Sequence, residues 1–248
     1  MGALSWKPIL SNLAEARGEV VKLYWRLHWK EFGGLPEMSE AEKMGPVLVD
    51  WRNKDEDEAW FAKMETKNPI DEVSLFISME HAYHHLNWAW NCRRTPEDRV
   101  WHFRDSDADR WTRFPDTTEF ADLWPSNRAI KEHCDKLRRK ISLCPVRIHV
   151  QMVAVKLNTL CYLVAKELGE DVVRPKNLNP EIGIMPLAEK EFTRRMHRIY
   201  SELNMAWNSR KDKTFVVGKC AISRRERFPS VFATGSHNMW RQKRGKVL

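Results

Sequence analysis

The chain has 248 residues, with 42 Lys and Arg against 34 Asp and Glu, a formal net charge of +8, twelve Trp and five Cys. That length suits one large domain or two small ones, and 42% hydrophobic with 31% charged residues excludes a disordered chain. Ten Gly, twelve Pro and no internal period exclude collagen-like, low-complexity and repeat architectures, and no run approaches ~18 uninterrupted apolar residues.

Helical periodicity dominates. Leu13, Val20, Val21, Tyr24, Leu27 and His28 recur at three- and four-residue steps, with Asn12 and Glu15 placed as a capping pair and Gly33-Gly34 as the stop. Trp25 and Trp29 widen the apolar face past half the girth, so this helix is expected between partners. Ser39 and Glu42 form a capping pattern cut short by Gly45-Pro46, and Val47 to Val49 could form a short strand. Acidic Asp55 to Glu58 opens a helix carrying Trp60, Phe61 and Met64.

After Asn68-Pro69, the segment from Ile70 to Cys92 is apolar nearly all round and is expected at the centre of the core. Thr95 and Pro96 read as the N-cap and first position of a short helix through Trp101 and Phe103. Residues 105–125 read as loop with short turns. Ile130, Cys134, Leu137 and Ile141 mark a basic amphipathic helix ending before Pro145, and Val150 to Leu168 a long one closed by Gly169. A proline-punctuated linker precedes a helix through Phe192, Met196, Ile199, Tyr200, Leu203 and Trp207. Phe215 to Val217 and Ala221-Ile222 flank Gly218-Lys219, a modest hairpin signal. The expected fold is mostly α, a bundle of seven or eight helices with a short C-terminal β element and a basic tail. Three regions follow: 1–125, acidic, Trp-rich and helical; 126–209, basic, helical and packed on it; and 210–248, a basic hairpin or tail.

Charge divides sharply between the halves. Residues 1–125 hold 16 Lys and Arg against 23 acids, whereas 126–248 hold 26 against 11. Ten of the twelve Trp fall in the acidic half. This dipole suggests a C-terminal half facing a polyanion and an N-terminal half used for packing and protein contacts. The cations singled out for nucleic acid are Arg138, Arg139, Lys140, Arg194, Arg195, Arg224, Arg225, Arg227, Arg241, Lys243 and Arg244, with Trp240 as a stacking platform. No RNP sequence or zinc finger is present, so binding led by backbone and shape is expected, with RNA ahead of DNA.

The sharpest local pattern is Glu80-His81-Ala82-Tyr83-His84-His85. On a helix His81 lies one turn from both His84 and His85, a spacing that can ligate one divalent metal if another helix completes the set. It is neither HExxH nor the Glu-x-x-His of di-iron bundles. A metal-dependent bundle enzyme using His81, His84 and His85 is therefore the alternative function.

Arg128 and His133 stand five positions apart on the basic helix, a pair loosely similar to the Arg-x4-His motif of HEPN ribonucleases. The resemblance covers two residues, and it implies a helical bundle in which Arg and His assist attack of a ribose hydroxyl. It supplies a third option. Asp105, Asp107 and Asp109 imitate the start of a calcium loop, but Arg110 occupies the glycine position. No nucleophile elbow and no phosphate-cradling glycine loop occurs, so nucleotide-driven catalysis and a bound cofactor are not expected.

The N-terminus lacks the basic start and apolar run of a signal peptide, and the odd cysteine number shows no two-residue spacing. A reducing, cytoplasmic setting without membrane contact is expected. The combined expectation is a binding or interaction subunit with nucleic acid and protein partners.

Overall fold

The computed structural model describes residues 4–34, 69–115, 143–175 and 178–210, with a few more positions between 36 and 63. The described residues form six α-helices and no strand: α1 (Trp6–Phe32), α2 (Glu72–Asn91), α3 (Glu97–Trp101), α4 (Asp105–Trp111), α5 (Leu143–Glu167) and α6 (Glu189–Ser209). A single 3-10 turn spans Glu42–Met44. The expected strand at 47–49, the basic helix at 130–141 and the hairpin at 215–222 lie outside the described residues, as do Trp60, Phe61 and Met64 of the helix expected after Asp55 to Glu58, in which Ala59, Ala62 and Lys63 are helical.

The four long helices close into a ring in which α1 packs on α2 and α5, while α6 packs on α5 and α2. Every neighbouring pair is antiparallel. Ser5 at the start of α1 bonds to the backbone of Arg93 and Thr95 just past α2, while Glu19 meets His81 farther along. Arg147 at the start of α5 reaches Glu31 at the end of α1, and Tyr200 of α6 reaches Asn87 of α2. The diagonal helices are therefore parallel, and Trp6 meets Phe192 across one end at 5.8 Å between ring centroids. Since α2 and α5 run the same way, the end of α2 and the start of α5 lie at opposite ends of the bundle.

Several helix starts differ from expectation, and at α3 Pro96 is the N-cap and Glu97 the first residue, one position later than the Thr95-Pro96 reading. Helix α1 begins at Trp6 rather than Asn12, because Pro8 falls in the first turn, where a missing N–H costs nothing. Asn12 does not cap: its amide donates back to the Pro8 carbonyl. Pro145 likewise sits in the first turn of α5. Residues 105–111, expected as loop, form α4 because Asp107 accepts from the Arg104 N–H and closes the first turn. The stop at Gly33 holds: its φ of 73° lets its N–H reach the Trp29 carbonyl. On α2, Asp71 is the N-cap and accepts from the Ser74 N–H.

One apolar core fills the ring. It joins Leu13, Val20 and Trp25 of α1, Met79, Leu86 and Trp90 of α2, Val150, Leu157 and Leu160 of α5, and Phe192, Met196 and Trp207 of α6. Burying side chains of this size stabilises by about 1.5–3 kcal/mol each. A satellite cluster of Cys92, Val100 and Trp111, flanked by Trp88 and Phe103, seats α3 and α4 on the end of α2. Helix α5 is long and apolar enough by composition to cross a membrane, yet most of it is buried within the bundle.

Candidate functional site

Four polar ties cross the apolar core, and each joins two helices. Glu202 of α6 lies 2.7 Å from His149 Nδ1 of α5 and also pairs with Lys156 one to two turns on. These partners hold the Glu202 carboxyl below its ordinary range although burial works in the opposite direction. Tyr200 donates to Asn87, and Asn87 donates to the Thr112 carbonyl at 2.7 Å. Arg17 of α1 donates to Asn158 of α5 at 3.1 Å. Arg210, just past α6, pairs with Glu72 at 2.8 Å and stacks over Trp207 at 3.7 Å. None of these side chains is among the site candidates that spacing and charge single out. Their signal was a polar residue inside an apolar stripe, as at Asn158 between Leu157 and Leu160.

The histidine turn is helical, as its spacing requires, but its imidazoles face different neighbours. His81 Nδ1 lies 3.8 Å from Glu19 Oε2 of α1. His81 is the main reason the Glu19 carboxyl falls to about 2, with Lys22 adding to it. His85 is pushed down by burial, against the pull of Glu15 and Glu19. His84, a quarter turn round from His85, stands edge-on to it and lies 6.0 Å from Trp88. Among the described residues no group of three or more His, Cys, Asp or Glu is placed to hold a metal ion. His81 and His85 thus share the seam between α1 and α2, while His84 packs near Trp88. The seam is an acid–imidazole strip, with His81 about two-fifths exposed.

Of the cations singled out for nucleic acid, the described residues include Arg194 and Arg195. Both lie on the first half of α6 with the Glu191 carboxylate between them: Arg194 Nε donates to it at 2.7 Å, and Arg195 pairs with it at 2.7 Å. Three further basic residues of the second half are also matched internally, Arg147 by Glu31, Lys156 by Glu202 and Arg210 by Glu72. Arg138, Arg139, Lys140, Arg224, Arg225, Arg227, Trp240, Arg241, Lys243 and Arg244 lie outside the described residues, as do Arg128 and His133. The sequence locates the excess accordingly: residues 143–209 carry nine Lys and Arg against seven acids, residues 126–142 six against two, and residues 210–248 eleven against two.

The acidic trio also has a local explanation. Asp107 is engaged by Arg99, Arg110 and the Arg104 N–H, so it serves the turn into α4.

No known protein family, curated protein or solved structure matches this chain.

Proposed function

We propose that the protein is a nucleic-acid-associated binding subunit, with RNA as the favoured partner. The helical bundle would carry two basic segments, 126–142 and 210–248, and act in a reducing, cytoplasmic setting. The observation that carries this reading is the charge partition: the bundle's second half nearly balances its own cations, whereas 210–248 holds eleven Lys and Arg against two acids.

Cations at that density suit a phosphate backbone, because each neutralised phosphate releases counterions. Phe228, Phe232, His237 and Trp240 are interleaved with them, and rings of this kind stack on unpaired bases. Arg138, Arg139 and Lys140 add a second cluster. Arg194 and Arg195 contribute less, since Glu191 offsets part of their charge. The acidic, Trp-rich first half would meet protein partners.

Binding to a single-stranded RNA, measured by fluorescence anisotropy at 50 and 200 mM salt, tests this directly. Affinity should fall by about three-hundredfold or more across that range if six or more phosphates of the single strand are engaged. Reversing Arg224, Arg225 and Arg227 to Glu should weaken binding to every sequence alike. Absent or salt-insensitive binding overturns the proposal.

A further inference from the structure

Helix α6 opens on acids and continues with cations. Glu189 and Glu191 sit in its first turn, where carboxylates complement the positive end of the helix dipole. Lys190, Arg194, Arg195 and Arg198 alternate with them or follow. Phe192, Met196, Ile199 and Leu203 are buried in the core, and Lys190, Arg194 and Arg198 each stand two residues from Phe192 or Met196. Two residues turn a helix by about 200°, so these three cations lie on its outer side. All three are exposed. One turn separates each from the next, and the row is about 12 Å long.

The neighbouring acids leave this row positive. Glu189 is shared by Arg93, at 3.9 Å, and Arg94, at 2.6 Å, both just past α2. Glu191 is shared by Arg194 and Arg195. Glu202, one turn past Arg198, is taken by His149 and Lys156. Lys190 and Arg198 have no ion pair among the described residues. Across the Glu189 and Glu191 groups and these two side chains, six cations share two acids.

Given the nucleic-acid reading, on which this placement rests, we infer that Lys190, Arg194 and Arg198 are the phosphate-binding row of the folded bundle, and that the backbone of a single-stranded RNA runs along the outer side of α6. A nucleic-acid strand carries one charge per about 3.4 Å of helix axis, so the row spans about three phosphates. The guanidinium forks of Arg194 and Arg198 suit phosphate oxygens, and Lys190 adds a point charge. Contacts of this kind fix where the strand lies and read no base.

The test measures how single-stranded RNA binding by the full chain depends on salt between 50 and 200 mM. Wild type is compared with Lys190→Gln combined with Arg198→Gln, and with Lys22→Gln combined with Lys30→Gln. The second pair removes the same charge from α1, which lies diagonal to α6 across the ring. All four positions are exposed, so neither variant disturbs the core. Losing two phosphate contacts should lower the slope of log affinity against log salt by about 1.4, and weaken binding at 50 mM by about tenfold or more. The α1 variant should keep the wild-type slope, and so should Arg198→Lys, which keeps its charge. If wild type binds with steep salt dependence and the α6 variant has the same slope, the placement on α6 is wrong while the nucleic-acid reading stands. Equal losses in both double variants also overturn the placement, because net charge alone then accounts for them. A wild type that binds no RNA, or binds it without salt dependence, overturns both.

Discussion

Tyr200 on α6 donates its phenolic hydrogen to Asn87 Oδ1 on α2 at 2.7 Å, and Asn87 donates in turn to the Thr112 carbonyl. Both side chains are sealed from water in the core. The chain of bonds joins two helices of the ring to the connection that follows α4. Tyr200→Phe keeps the ring packing against Tyr83 but removes the donor, leaving a buried amide oxygen short of one bond. Such a loss costs about 1–3 kcal/mol. Urea unfolding should show a lower midpoint with an unchanged slope, whereas an unchanged midpoint would mean that the bond contributes nothing net.

Arg210 and Glu72 pose a harsher case. Arg210 is fully enclosed, and Glu72 is 15% exposed, so removing the arginine strands a carboxylate with little water to receive it. Arg210→Ala should destabilise by about 3 kcal/mol, the range found when one partner of a buried pair is deleted. Combining it with Glu72→Gln should recover much of that loss, because the stranded charge is gone. Thermal melts of the two single variants and the double variant close the cycle. If the double variant is no more stable than Arg210→Ala, the pair is not coupled.

Helix existence was readable because the apolar period is strong. The positions of Leu13, Val20, Tyr24 and Leu27, and those of Phe192, Met196, Ile199 and Leu203, all prove buried at the spacing that predicts them. Boundaries were less readable, since Pro8 and Pro145 look like breakers until their place in a first turn is known. The ring order was not readable at all: nothing local says that α2 and α5 run parallel, which only long-range packing decides. For the candidate site, spacing put His81 and His85 on one seam, but it could not reveal that Glu15 and Glu19 of another helix stand opposite them. That pairing depends on the register between α1 and α2, a tertiary property.

The same seam predicts acid sensitivity in two steps. His85 titrates below its ordinary 6.5 because burial disfavours the imidazolium. The unfolded chain therefore takes up that proton first, and stability falls as pH drops from about 6.5 toward the folded value. Glu19 titrates near 2 instead of its ordinary 4.5, so its contribution is complete above 4.5 and is lost as pH falls toward 2. Thermal midpoints measured from pH 8 to pH 3 should show both declines. His85→Gln should flatten the upper one, and Glu19→Gln the lower. A wild-type midpoint that rises between pH 6.5 and pH 5 would contradict the assignment to His85.

The described thiols should separate by reactivity. Burial pushes Cys92 up to about 12 and Cys161 up to about 11, so both stay protonated at neutral pH, and both are enclosed by apolar neighbours. Cys144, at the start of α5, is exposed. A thiolate is the attacking species, and access is its second requirement, so Cys92 and Cys161 fail on both counts. With Cys134 and Cys220 replaced by Ser, a disulfide reagent at pH 8 should titrate one thiol in the native protein and three in urea. The slow thiols should react at the rate of unfolding. Variants that loosen the ring, Tyr200→Phe and Arg210→Ala, should therefore speed labelling of Cys92 and Cys161 while leaving Cys144 unchanged. Rapid native labelling of all three would mean that the bundle opens far more readily than its buried core implies.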